Sequence, residues 1–142
     1  MKVEYTKWPY ENPVSKDRTY IFVPIIEVLL VGNHKVGRHI KSYLDTGAAF
    51  NIFPAEYAIS LLGFTESTLR KGISLPILGV GGMKTVGYGH KCSIQHPDFS
   101  LKDVMVYFVK EQSYPLLGRV GFMDQFKKII FNEDTKILEL VK

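Results

Sequence analysis

The 142-residue chain is expected to fold as a mostly β domain, closed or folded over on itself, with two short helices. Three observations predict this. Short runs rich in β-branched and aromatic residues recur along the sequence, each bounded by Gly, Pro, Asn or Asp, the pattern of strands joined by tight turns. Apolar spacing of the helical kind is confined to two brief stretches, residues 54–62 and 120–126. Hydrophobic residues make up 46% and charged residues 23% of the chain, which excludes a disordered or low-complexity polypeptide. A chain of this length buries about two-thirds of its unfolded surface, enough for one core.

Residues 1–19 are polar and aromatic, with Pro9 and Pro13, and read as an irregular arm leading into one domain over residues 20–142. The run 20–31 is β-branched and aromatic and ends at Gly32-Asn33, which predicts a strand and a turn. Pro24 inside it calls for an edge position or a bulge. Residues 36–44 are the return strand, and His34 and His39 flank the turn as exposed residues. A helix is expected over 54–62, with Pro54 at its first position and Gly63 just past its end. Ala55, Ala58, Ile59 and Leu62 form its apolar stripe. Residues 63–72 read as loose. Two extended arms, 73–78 and 83–88, surround Gly79-Val80-Gly81-Gly82 as a hairpin. Strands at 90–96 and 101–109 are divided by Pro97-Asp98. Pro115-Leu116-Leu117-Gly118 is a buried apolar segment, and one or two helical turns follow over 120–126. Residues 128–131 and 137–141 flank Asn132-Glu133-Asp134-Thr135 as a last hairpin.

Composition narrows the function. Lys and Arg total 18 and Asp and Glu 14, a net charge of +4. The basic residues are scattered, without the concentrated face of a nucleic-acid binder. The single Cys92 permits no intrachain disulfide and points to a reducing, cytoplasmic location. No apolar leader opens the sequence. Its longest apolar stretch, 21–31, is interrupted by Pro24 and Glu27 and falls short of the roughly 20 residues a membrane helix needs. The glycine-rich segment is no phosphate loop, because no Gly precedes Lys84 and no helix follows; Lys84 also breaks the dinucleotide pattern. His90, Cys92 and His96 share one strand face, but three ligands are thin for zinc, and nothing around Cys92 activates a thiolate. No metal and no cofactor are expected.

The segment that carries chemistry is Leu44-Asp45-Thr46-Gly47-Ala48. An acid and a glycine are poor strand formers, so an apolar strand stops here and turns. That puts a carboxylate at the edge of a core. Burial raises a carboxylate's pKa, and two brought together must share a proton, which is acid–base chemistry. Thr46 offers a hydroxyl to a neighbouring loop, and Gly47 lets another backbone approach closely. By itself the tripeptide is equally compatible with a strand-end turn capped by Asp45.

Three segments together resemble the retropepsin-like aspartic proteases, the single-domain branch of the pepsin superfamily. Leu44-Asp45-Thr46-Gly47-Ala48 resembles the catalytic loop. Leu78-Gly79-Val80-Gly81-Gly82 resembles the tip of the flap. Leu116-Leu117-Gly118-Arg119 resembles the hydrophobic-hydrophobic-Gly-Arg segment late in the fold, and Gly121-Phe122-Met123-Asp124-Gln125-Phe126 is similar to cellular members. The resemblance spans about residues 20–141. It implies a closed β-barrel of the acid-protease kind, in which one ionised carboxylate activates a water and a second, protonated, polarises the scissile carbonyl.

The chain has one Asp-Thr-Gly; Asp17, Asp98, Asp103, Asp124 and Asp134 lie in no such context. The resemblance therefore implies a homodimer with Asp45 contributed twice, and a peptide or protein substrate lying under Gly79, Val80, Gly81 and Gly82. Leu117, Gly118 and Arg119 would support the site. Trp8, Tyr5 and Tyr10 would either cover one end of the barrel or pack across the partner. Two departures stand out. Ala49 occupies a position that is often acidic in retroviral members, which leaves Arg119 without that partner, and Val120 stands where a polar residue is common. A second reading remains open: the same fold serving as a silent peptide-binding or dimerisation module.

Overall fold

The computed structural model describes residues 1–32 and 36–142. The strands are β1 (Lys2–Glu4), β2 (Thr6–Glu11), β3 (Arg18–Val23), β4 (Ile25–Val31), β5 (Val36–Leu44), β6 (Asn51–Pro54), β7 (Ile73–Leu78), β8 (Lys84–His96), β9 (Phe99–Val109), β10 (Leu116–Leu117), β11 (Lys128–Asn132) and β12 (Ile137–Val141); the helices are α1 (Ala55–Ser60) and α2 (Glu66–Arg70). Six strands run in the order β4-β5-β10-β6-β9-β8, and β8 pairs back onto β4 to close a barrel. Two contacts, β5 with β10 and β6 with β9, are parallel; the rest of the ring is antiparallel. β7 hangs outside on β8, and as an edge strand it tolerates Pro76, which has no N–H to donate.

Alternation along the strands builds the core. In β4, Ile26, Val28 and Leu30 are fully buried while Glu27 between them is exposed. They meet Phe53 of β6, Val106 and Phe108 of β9, Ile94 of β8 and Leu117 of β10 in one cluster. Phe122 joins from the late segment, its ring 5.7 Å from Phe99 and 5.4 Å from Phe126. β9 carries a bulge against β8, where Asp103 takes φ 54°, the left-handed conformation that Asp tolerates better than most residues.

The structure refines several expectations. The run 20–31 is two strands, because Pro24, with no N–H to donate, separates β3, which pairs with β2, from β4, which joins the barrel. The turn at Asn33 and the residue His34 lie outside the described residues. The lead-in is extended rather than irregular: β1 pairs with β12, and β2 pairs with β3 as an antiparallel hairpin. Pro54 sits at the N-cap of α1, one position earlier than expected, and closes β6 as well. Ala55, Ala58 and Leu62 are buried as the stripe required, but Ile59 is 44% exposed.

The 63–72 stretch holds a helix. Thr65 caps α2 by accepting a hydrogen bond on Oγ1 from the Thr68 N–H at 3.0 Å, the usual means of satisfying a helix's first amides. The 120–126 stretch contributes a single 3-10 turn, Met123–Gln125. β8 is continuous through residues that read as two strands, and the last hairpin, β11–β12, forms as expected. No helix among the described residues is long and apolar enough to cross a membrane.

Candidate functional site

Asp45 stands where β5 leaves the barrel. The Leu44 N–H donates to the Pro24 carbonyl at 2.9 Å, and the Asp45 N–H donates to the Leu117 carbonyl at 3.1 Å. Beyond that point the chain turns. The Ala48 N–H closes onto the Asp45 carbonyl at 3.2 Å, and the Gly47 N–H donates to Asp45 Oδ1 at 2.8 Å. Asp45 is half-buried, Thr46 and Gly47 are exposed, and Ala48 is buried. A Cβ on Gly47 would lie 3.1 Å from Asp45 Oδ1, so the glycine leaves room for the carboxylate to sit where it does.

A second segment clamps this loop. β10 is inserted between β5 and β6, with Leu116 opposite Tyr43 in parallel and opposite Ile52 in antiparallel. The chain after it runs along the loop: the Arg119 N–H donates to the Ala48 carbonyl at 3.0 Å and the Val120 N–H to the Ala49 carbonyl at 2.8 Å. Asn51, fully buried, ties both together. Its Oδ1 accepts from the Gly118 N–H at 3.0 Å and its Nδ2 donates to the Met105 carbonyl at 3.2 Å. Gly118 is obligatory here, since a Cβ would lie 2.2 Å from the Phe50 carbonyl oxygen. Leu117 and Gly118 are buried, and Arg119 is exposed.

The glycine-rich hairpin faces the same region. Its tip is a tight turn, with Gly82 N–H donating to the Gly79 carbonyl at 3.2 Å and Gly79 N–H to the Met83 carbonyl at 2.8 Å. Gly81 and Gly82 take φ 79° and 78°, a conformation that costs a residue with a Cβ. Val80 projects fully into solvent. Leu75, Pro76, Ile77 and Leu78 of β7 line one wall of a groove of about 270 Å³, and residues 47–50 line the other. The fold thus brings together Asp45, Gly47, Ala48 and the 117–119 segment by direct hydrogen bonds. It sets the hairpin arm across a groove from them, while the tip stands clear.

The remaining polar candidates have local roles. His90 Nε2 hydrogen-bonds the Leu69 carbonyl at 2.8 Å, and the His96 ring stacks on Phe99 at 5.1 Å. Cys92 is buried, which pushes its thiol up to about 12, far from a nucleophile's range. His90 and His96 are separated by about 20 Å of extended strand. The arm's aromatics diverge: Tyr5 is buried and donates to Glu133 Oε1 at 2.9 Å, Tyr10 is 40% exposed, and Trp8 packs edge-on to Tyr43 and Tyr114 at 6.0 and 5.8 Å. Asn51 is the residue that sequence reasoning passed over. The signal was a lone amide in the apolar run Phe50-Asn51-Ile52-Phe53, since a buried amide must find partners.

No protein-family model matches the chain, and no curated protein matches it significantly. Among solved structures, the crystal structure of a retropepsin-like aspartic protease from Rickettsia conorii is similar, with a TM-score of 0.59 and 18% identity over 95% of this chain and 98% of that one. The fold is therefore the retropepsin-like one: a closed β-barrel with two short helices.

Proposed function

We propose that the chain is an aspartic endopeptidase that works as a homodimer. The observation that carries the reading is the half-buried Asp45 on a loop that is clamped by the 117–120 segment and whose residues 47–50 line a groove beside β7. A single carboxylate cannot supply both roles of the reaction. Two copies of Asp45 meeting across a two-fold axis would share one proton. The ionised one takes a proton from water as its oxygen attacks the peptide carbonyl carbon. The protonated one donates to the carbonyl oxygen. Collapse of the resulting diol breaks the C–N bond, and the amine leaves with a proton. Gly47 N–H holds Oδ1 of each carboxylate in place, which is positioning done before substrate arrives.

The substrate is an extended polypeptide lying along β7, whose outer edge pairs with no strand among the described residues and accepts an added strand. The Gly79–Gly82 tip closes over it. Arg119 makes no ion pair among the described residues, and with Ala49 across from it the dimer contacts differ from those of retroviral members.

The test is cleavage of a mixed peptide library by the purified protein and by Asp45→Asn, from acid to neutral pH. Cuts made by the wild type and absent in the variant are expected, at least about a thousandfold down in rate. Equal cutting by both would overturn the assignment. Saturable peptide binding without any cutting would leave a peptide-binding module.

A further inference from the structure

We propose that Asn51 is a positioning residue of the dyad: its buried amide sets how closely the two copies of Asp45 approach each other. The proposal deepens the reading of Asp45 as half of a catalytic pair and rests on it. It starts from one peptide plane. The Asp45 N–H donates to the Leu117 carbonyl at 3.1 Å, and the Gly118 N–H donates to Asn51 Oδ1 at 3.0 Å. The Leu117 carbonyl and the Gly118 N–H are the two ends of a single peptide unit, which is rigid and planar. Asp45 therefore bears on one end of a plate whose other end Asn51 holds.

The amide is itself fixed. Its Nδ2 donates at 3.2 Å to the carbonyl of Met105, on β9 of the barrel wall. Oδ1 meets a donor and Nδ2 an acceptor, so one orientation of the amide satisfies both. Gly121, at φ 92°, leaves the space for it: a Cβ there would lie 2.8 Å from Asn51 Nδ2. Asp124 Oδ1 accepts from the Gly121 N–H at 3.0 Å, and Asp103, Arg119 and Asp124 are all exposed. The amide's own partners are the two backbone groups.

Four hydrogen bonds join residues 45–51 to the 117–120 segment. They are the two that hold the peptide plane, the Arg119 N–H to the Ala48 carbonyl, and the Val120 N–H to the Ala49 carbonyl. Three of them run from backbone to backbone and do not depend on residue type. The fourth depends on a side chain, that of Asn51, which carries the connection on to β9. Val120 is 52% exposed and offers no polar group, so the tie comes from the loop side.

Removing the amide frees the peptide plane at one end. The Gly118 N–H and the Met105 carbonyl lose their partners, and buried groups of that kind shift or draw in water until they find others. The Leu117 carbonyl turns with its plane, and the Asp45 N–H follows. Across a two-fold axis the displacement occurs twice. A misplacement of about 1 Å costs on the order of a hundredfold in rate. A second consequence is electrostatic. Two interacting carboxylates titrate as a pair, in two steps that spread apart as the groups approach. Parting them brings the two limbs of the pH–rate profile together.

The experiment records kcat and kcat/KM against pH for the wild type, Asn51→Ala and Asn51→Asp, on a peptide that the wild type cuts. Each protein is assayed at concentrations where specific activity no longer rises, and rates are divided by the folded fraction from circular dichroism. In Asn51→Ala, kcat should fall about a hundredfold. The acid and alkaline limbs of its kcat/KM profile should draw together by about one pH unit. An amide that served stability alone would lower the folded fraction and leave both limbs in place. Asn51→Asp keeps an acceptor for the Gly118 N–H. Its second oxygen meets the Met105 carbonyl and can donate there only when protonated. This variant should cut within about threefold of the wild type at the acid end of the profile, and more than about tenfold below it at pH 7.

Unmoved limbs in Asn51→Ala, or an Asn51→Asp profile parallel to that of the wild type, would overturn the positioning role and leave the dyad. Should Asn51→Ala fail to fold, the Asn51→Asp profile decides alone. A wild type that cuts nothing, or one that Asp45→Asn matches, overturns the dyad and the positioning role with it.

Discussion

At the scale of single residues, the site depends on close approaches that leave no room for alternatives. Gly118 lets the 117–120 segment cross the Phe50 carbonyl at a distance no Cβ could share. Gly118→Ala is expected to lose about 3 kcal/mol, because two backbones must move apart. Asn51 is fully buried with both ends of its amide bonded to backbone. Asn51→Ala should cost about 2–4 kcal/mol, since it strands the Gly118 N–H and the Met105 carbonyl without partners. Both losses should appear as lower urea midpoints with unchanged m-values. Gly47→Ala belongs to another class. Its Cβ would lie 3.1 Å from Asp45 Oδ1, so it should displace the carboxylate. A fall in kcat with little change in midpoint is the expected result, and an unchanged kcat would remove Gly47 from the positioning of Asp45.

At the scale of elements, the glycine hairpin and the lead-in follow different logic. The tip of the hairpin is held by its own backbone hydrogen bonds and by positive φ at Gly81 and Gly82, and nothing lies within 4 Å of a Cβ at either position. Gly81→Ala therefore meets no clash and is penalised by conformation alone, about 1 kcal/mol. Amide exchange at Gly79 and Gly82 should speed up about fivefold, while the global midpoint hardly moves. The lead-in became two strands because partners exist that no local pattern reveals: β12 for residues 2–4, and β3 for residues 6–11. α2 was hidden for a related reason. Five residues are too few for a visible apolar period, and Leu69 alone of them is buried, although Thr65-Glu66 carried the cap signal.

At the scale of the whole molecule, pH acts through groups around the barrel. His96 is stacked on Phe99 and largely desolvated, which holds its imidazole below the ordinary value; Asp98 opposes this and His39 adds to it. A histidine depressed in the folded state binds its proton more readily when unfolded. Stability should then fall as pH drops below about 6.5 toward the depressed value. Urea midpoints between pH 7.5 and 5 should decline less steeply in His96→Gln than in the wild type. Below that range Glu66, Glu111 and Glu133 are held low, chiefly by Lys110, Thr85 and Lys136 in turn. Their contribution is present above the usual carboxylate range and is lost as the pH falls through their depressed values. The proposed dimer has its own signature. A site assembled from two copies of Asp45 loses specific activity on dilution, and sedimentation should place the midpoint of that loss at the dimer dissociation constant.

The return strand over residues 36–44, the last hairpin, the Asp45 turn and the glycine hairpin were legible because each depends on neighbours in sequence. β-branched runs extend, Asp and Gly end them, and paired glycines permit a turn. So was the closed β architecture, since many short strands with half their residues apolar must bury one face. Tertiary structure alone decided what lies beside Asp45. β10 enters between β5 and β6, Asn51 bridges to Gly118 across 67 positions of sequence, and Trp8 reaches Tyr43 and Tyr114. These are long-range pairings chosen by packing density and by the need of buried polar groups for partners, and no window of sequence contains both halves of such a choice.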